Sequence, residues 1–197
     1  LAVSLLCTSA LSAPVFANTI VVLGDSLSSG YGLLLEQSWV SRLEGRLKAE
    51  GYGYTVVNAS IAGDTSAGGL ARLPTLLATH RPTIVIIELG GNDGLRGQPV
   101  QSLRANLERI IALAREHGAA PVLAGIQIPP NYGPAYAGAF ANLYPELARE
   151  LDVPLVAFLL EDVALNADLM QSDGLHPNAR GSEVMLENVW DVLVELL

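Results

Sequence analysis

Five short apolar runs, each followed by a longer amphipathic segment, limit this chain to a small set of folds. The runs cover residues 19–23, 54–59, 83–89, 121–128 and 154–160. Each has the length of a strand and is almost continuously apolar, as strands are when both faces of a sheet are covered. Between them apolar residues recur with the 3.6 period of a helix: Val40, Leu43 and Leu47, then Leu70, Leu73 and Leu77. A third set comprises Val100, Leu103, Leu107, Ile110, Ile111 and Ala114, with Pro99 near its start and Gly118 past its end. A fourth helix is predicted over 135–151, with Pro145 either kinking it or opening its second half. The last is predicted from Asn178 to the end, with Met185, Val189, Val192, Leu193 and Leu196 on one face.

Strands alternating with helices require parallel pairing through right-handed crossovers. The expectation is α/β, a three-layer α/β/α sandwich around a five-stranded parallel sheet. Its expected strand order is the flavodoxin-like 2-1-3-4-5. No repeat or interdomain linker interrupts the pattern, so residues 18–197 read as one domain, a size that carries a full core. Half the residues are hydrophobic and 16% are charged, a globular composition. The net charge of −9, with 11 Lys and Arg and no cluster of them, argues against nucleic acid and anionic lipid surfaces as partners. An acyl substrate remains compatible, because apolar burial and not charge holds it. A monomer is expected.

Residues 1–17 differ from the rest. No charge occurs in 1–16, and the apolar run Leu1-Ala2-Val3-Ser4-Leu5-Leu6 is followed by Ala13-Pro14-Val15-Phe16-Ala17. That is the pattern of a secretory signal cut after Ala17, and it predicts a periplasmic or secreted protein. The segment is too short for a membrane anchor and contains Pro14, so no stable membrane insertion is expected after cleavage. Leu6 is too large to precede a lipidated cysteine at Cys7. Without Cys7 the mature chain has no cysteine, which removes disulfides and thiol chemistry.

The residues with chemical potential fall in the loops after strands: Gly24-Asp25-Ser26-Leu27-Ser28, Ser60-Ile61-Ala62-Gly63-Asp64, Gly90-Gly91-Asn92-Asp93-Gly94 and Ser172-Asp173-Gly174-Leu175-His176. In a parallel sheet these loops emerge along one edge and converge on one crevice. Ser26 becomes a nucleophile only when a base takes its proton, and an imidazole such as His176 can do so near neutral pH. Asp173, three residues before it, reaches the same face of a turn and can fix the imidazole tautomer. A tetrahedral intermediate needs donors, for which the backbone N–H groups of Ser26 and Gly63 and the Asn92 amide are candidates.

These segments resemble the blocks of the SGNH (GDSL-type) hydrolases: GDSL at 24–27, a glycine at 63, GxND at 90–93 and DxxH at 173–176. The wording around them is similar to the bacterial periplasmic thioesterase I/lysophospholipase/arylesterase branch, in order and over essentially the whole chain after Ala17. The resemblance implies Ser26, Asp173 and His176 as a triad and Ser26, Gly63 and Asn92 as the oxyanion hole. It also implies broad acyl specificity across thioesters, aryl esters and lysophospholipids, with no cofactor.

Other readings bear on the same residues. An α/β-hydrolase would carry G-x-S-x-G, but Ser28 stands where its second glycine belongs. Asp25, Asp64 and Asp93 occur singly in three loops, where each can bond loop backbone, so no metal is expected. Glu88 interrupts an apolar strand and is read as a structural hydrogen-bonding group. His80 and His117 end helical patterns and receive no role. The turn-rich loop 129–136 with Tyr132, together with Leu95, either walls an acyl groove or lies on the surface with its tyrosines packed on the helix below. A carbohydrate O-deacetylase is an alternative on the same fold. A non-catalytic binding module is another, without a G-x-x-x-x-G-K-[ST] phosphate loop to favour it.

Overall fold

A computed structural model describes residues 18–197; the expected export segment 1–17 lies outside the described residues. Its elements in chain order are β1 (Asn18–Gly24), α1 (Ser26–Ser29), α2 (Trp39–Ala49), β2 (Tyr54–Asn58), α3 (Ser66–His80) and β3 (Ile84–Glu88). They continue with α4 (Gly91–Leu95), α5 (Val100–Glu116), β4 (Ala120–Ala124), α6 (Pro134–Leu151), β5 (Leu155–Val156) and α7 (Ala179–Leu193). All strand pairs are parallel, as the alternation of strands and helices requires, and the sheet order is the flavodoxin-like β2-β1-β3-β4-β5, which the alternation alone does not determine.

Helix α2 packs against α7 on one side of the sheet, while α3, α5 and α6 pack in sequence on the other. The periodic residues make those faces: Val40, Leu43 and Leu47 of α2 and Leu103, Leu107, Ile110 and Ile111 of α5 are all buried. Each of three main helices begins on a side-chain cap, from Ser38 to Ser41 N–H, Thr65 to Gly68 N–H, and Asn178 to the N–H groups of Arg180 and Gly181. Helix α6 passes through Pro145 as a single helix. Its buried residues Phe140, Leu143, Tyr144, Leu147 and Ala148 outweigh the roughly 3 kcal/mol that an internal proline costs. The C-terminal helix is α only to Leu193, and Val194–Leu196 closes it with a 3₁₀ turn.

The last two strands fall well short of their apolar runs. Residues Ile126, Gln127 and Ile128, expected in the fourth strand, leave the sheet after Ala124. At Gly125 an added Cβ would run into the Ala157 carbonyl oxygen, and the backbone there is bonded to the fifth segment through Gly125 N–H to the Val156 carbonyl at 2.8 Å and Leu159 N–H to the Gly125 carbonyl at 2.9 Å. The fifth strand keeps only Leu155 and Val156 of the expected 154–160. Leu159 and Leu160 are buried in a turn instead. Apolar runs report burial, and burial is reached by a turn as well as by a strand. The edge strand β2 exposes Thr55 and Asn58, unlike the fully buried β3.

Candidate active site

The turns at the carboxyl ends of β1, β2 and β3 and the segment before α7 meet at one edge of the sheet. Two of the expected loops are single helical turns: Ser26 opens α1 and Asn92 lies in α4. Asp25 caps the first through Leu27 N–H at 3.0 Å. Gly24 is fixed by space, since a Cβ there would lie within 3 Å of the Glu88 carboxyl and the Ser28 side chain.

Ser26 Oγ lies 2.9 Å from His176 Nε2, and His176 Nδ1 lies 2.7 Å from Asp173 Oδ2. A carboxylate accepts only, so Nδ1 carries the ring proton and Nε2 is left as the acceptor for the serine hydroxyl. The other Asp173 oxygen accepts the N–H groups of Leu175 and His176 at 2.9 and 3.0 Å. These bonds hold the Asp173 carboxyl at about 2, the backbone N–H of His176 contributing most. One local turn thereby sets both the place and the charge of its acid. Gln171 braces the turn from outside, its amide donating to the carbonyls of Tyr31 and Pro177 at 2.9 Å. The Tyr31 ring lies on His176 with centroids 4.6 Å apart.

On the opposite side, Gly63 turns with φ +80, a conformation that favours glycine. Arg96 Nη2 donates to its carbonyl at 2.9 Å and ties that turn to the end of α4. Arg72 of α3 binds Asp64 at 2.8 Å and also the carbonyls of Gly24 and Ala59, joining the ends of β1 and β2. Asp93 is held by Ser66 N–H at 2.9 Å and Ser66 Oγ at 2.6 Å, and Asn106 donates to that hydroxyl. Asn92 Nδ2 donates to Asp25 Oδ2 at 2.9 Å. An amide nitrogen has two hydrogens, and one remains for a substrate. Each of the three loop aspartates therefore has a structural donor, as its sequence setting suggests.

A cavity of about 210 Å³ opens beside Ser26, Gly63, Asn92 and His176. Of the two candidate wall residues, Leu95 lines it and Tyr132 does not. Tyr132 instead donates its hydroxyl to the Leu95 carbonyl at 2.9 Å and lies against Tyr136, so it supports the wall from behind. The apolar lining that the sequence did not single out is Ile126, Ile128, Leu160 and Leu175. The first three lay hidden in runs read as strands.

A serine, imidazole and carboxylate in line, beside an apolar cavity at the end of a parallel sheet, define a serine ester hydrolase of the α/β/α class. The chain belongs to the GDSL-like Lipase/Acylhydrolase family, whose sequence profile matches residues 22–184. It is 52% identical over 181 residues to Esterase TesA of Pseudomonas aeruginosa, covering 92% of this chain and 90% of that protein. It is 48% identical over 162 residues to Thioesterase 1/protease 1/lysophospholipase L1 of Escherichia coli K12, covering 82% of this chain and 76% of the relative. A crystal structure of TesA superposes with a TM-score of 0.89 at 52% identity, covering 91% of this chain and all of that one.

Proposed function

We propose that this protein hydrolyses carboxylic esters and thioesters of apolar acyl chains through an acyl-enzyme on Ser26. The reading rests above all on the unbroken line Ser26 Oγ, His176, Asp173, with contacts of 2.9 and 2.7 Å, opening beside an apolar cavity. His176 takes the hydroxyl proton as Ser26 attacks the acyl carbon, and Asp173 stabilises the resulting imidazolium. The N–H groups of Ser26 and Gly63 and the Asn92 amide hold the oxyanion. Collapse expels the alcohol or thiol, protonated by His176, and water then repeats the sequence to free the acid.

The apolar wall favours an acyl chain over a bare acetyl group, and aryl esters, acyl thioesters and lysophospholipids all present such a chain or ring. Leu95, Ile126, Ile128, Leu160 and Leu175 are the residues that would set its length preference. The domain acts as a monomer over 18–197 and is exported by the segment 1–17, to the periplasm or beyond. Among the described residues no helix is long and apolar enough to cross a membrane.

The test is hydrolysis of p-nitrophenyl esters from acetate to palmitate, with Ser26→Ala in parallel. The reading predicts turnover that extends past acetate and vanishes in the variant. Turnover confined to acetate would favour a deacetylase, and inactivity on every ester a binding role.

A further inference from the structure

Glu88 is the least expected group in the core. It ends β3 fully buried and stands opposite Gly24 in the register of β1 and β3. Its Oε2 accepts Asp25 N–H at 3.1 Å and Ser28 Oγ at 2.7 Å. Its Oε1 has no hydrogen-bond partner among the described residues. The space is reserved for this carboxyl, because a Cβ on residue 24 would lie 2.7 Å from Oε2. A buried acid with a bare oxygen is a poor stabiliser beside an apolar side chain of similar volume. Its presence beneath the nucleophile points to the reaction.

Asp25 and Glu88 are buried together, and two such carboxyls do not both ionise. Asp25 has a donor on each oxygen, Leu27 N–H at 3.0 Å and the Asn92 amide at 2.9 Å, whereas both donors to Glu88 fall on one of its oxygens. The charge therefore settles on Asp25 and the proton on Glu88. Burial, and then the Asp25 charge, push Glu88 well above the usual carboxylate range; burial lifts Asp25 to about 6.

We infer that Glu88 is a positioning residue: by fixing Asp25 it aims the Ser26 N–H and the Asn92 amide at the oxyanion. The inference rests on the acyl-enzyme reading above. Glu88 grips the N–H one residue before Ser26 and the hydroxyl two residues after it, so the turn of the nucleophile is held from below on both sides. Asp25, anchored in this way, holds one hydrogen of the Asn92 amide and so fixes the direction of the other. Preorganised donors act on the transition state, so loosening them lowers kcat and leaves KM in place.

The test measures kcat, KM and thermal melting for wild type, Glu88→Met and Glu88→Gln, each with Asn92 intact and with Asn92→Ala. Methionine keeps the outline without the acceptor, and kcat is expected to fall about tenfold or more with KM within about twofold. Glutamine keeps both a carbonyl oxygen and a donor, and it recovers most of kcat. In the Asn92→Ala background the methionine loss shrinks, because both changes act on one donor. Equal losses in the two backgrounds, or a glutamine no better than methionine, would overturn the inference. If Glu88→Met does not fold, Ser28→Ala in the same two backgrounds decides between coupled and additive losses. An inactive wild type, or an active Ser26→Ala, would strike the acyl-enzyme reading instead.

Discussion

Two aspartates serve one site and are driven in opposite directions. Asp173 is half exposed, takes two backbone N–H groups and the imidazole from its own turn, and is held at about 2. Asp25 is buried at the end of β1 and is lifted to about 6 by that burial, against the pull of Leu27 and Asn92. The first is a local device, complete within four residues. The second is assembled from partners 60 or more positions away, in Asn92 and Glu88. A local turn fixes a charge at little cost, whereas a buried one is tolerated only where a network of donors surrounds it.

The largest effect is expected at the exposed carboxyl. Asp173→Asn removes the acceptor that fixes the imidazole tautomer and should lower kcat by about 10⁴. A loss under tenfold in steady-state assays would show that the turn holds His176 without it. At the buried side, Asn92→Ala should lower kcat on the order of a hundredfold with KM little changed. An unchanged kcat would remove Asn92 from the oxyanion site.

Stability separates the two carboxyls by sign. Asp25 binds its proton more tightly folded than at the usual 3.8, so its contribution is full below pH 4 and is lost as pH rises through about 6. Relative to wild type, Asp25→Asn should therefore gain about 2 kcal/mol between pH 4 and pH 8, read from denaturant curves. Asp173 works the other way: its contribution is present above the usual 3.8 and fades as pH falls toward 2. A gap between Asp25→Asn and wild type that does not change with pH would refute the burial of charge at Asp25. The smallest effect is expected at Tyr132, whose change to Phe removes one hydrogen bond to the Leu95 carbonyl. It should cost about 1 kcal/mol or less and alter kcat/KM for long acyl chains more than for acetate. Equal change across the ester series would argue against a role for that wall in chain length.

The same division decides what the sequence disclosed. Ser26, Asp173 and His176 could be read because each sits in a short motif whose spacing carries its chemistry, and β1, β3 and α5 because their periodicity is strong. Glu88 was visible only as an odd charge in an apolar strand, since its partners Asp25 and Ser28 come from the neighbouring strand end. Arg72 and Arg96 carried no local signal at all, because they act on carbonyls of distant turns. Ile126, Ile128 and Leu160 were read as strand because an apolar run does not distinguish a sheet interior from a cavity wall.

A covalent acyl-enzyme on Ser26 can be trapped. Treatment with an activated alkylphosphonate ester, followed by intact-mass and peptide mass spectrometry, should find a single adduct on Ser26, loss of esterase activity in step with labelling, and no labelling of Ser26→Ala. Labelling at another residue, or full activity in a fully labelled enzyme, would contradict the account.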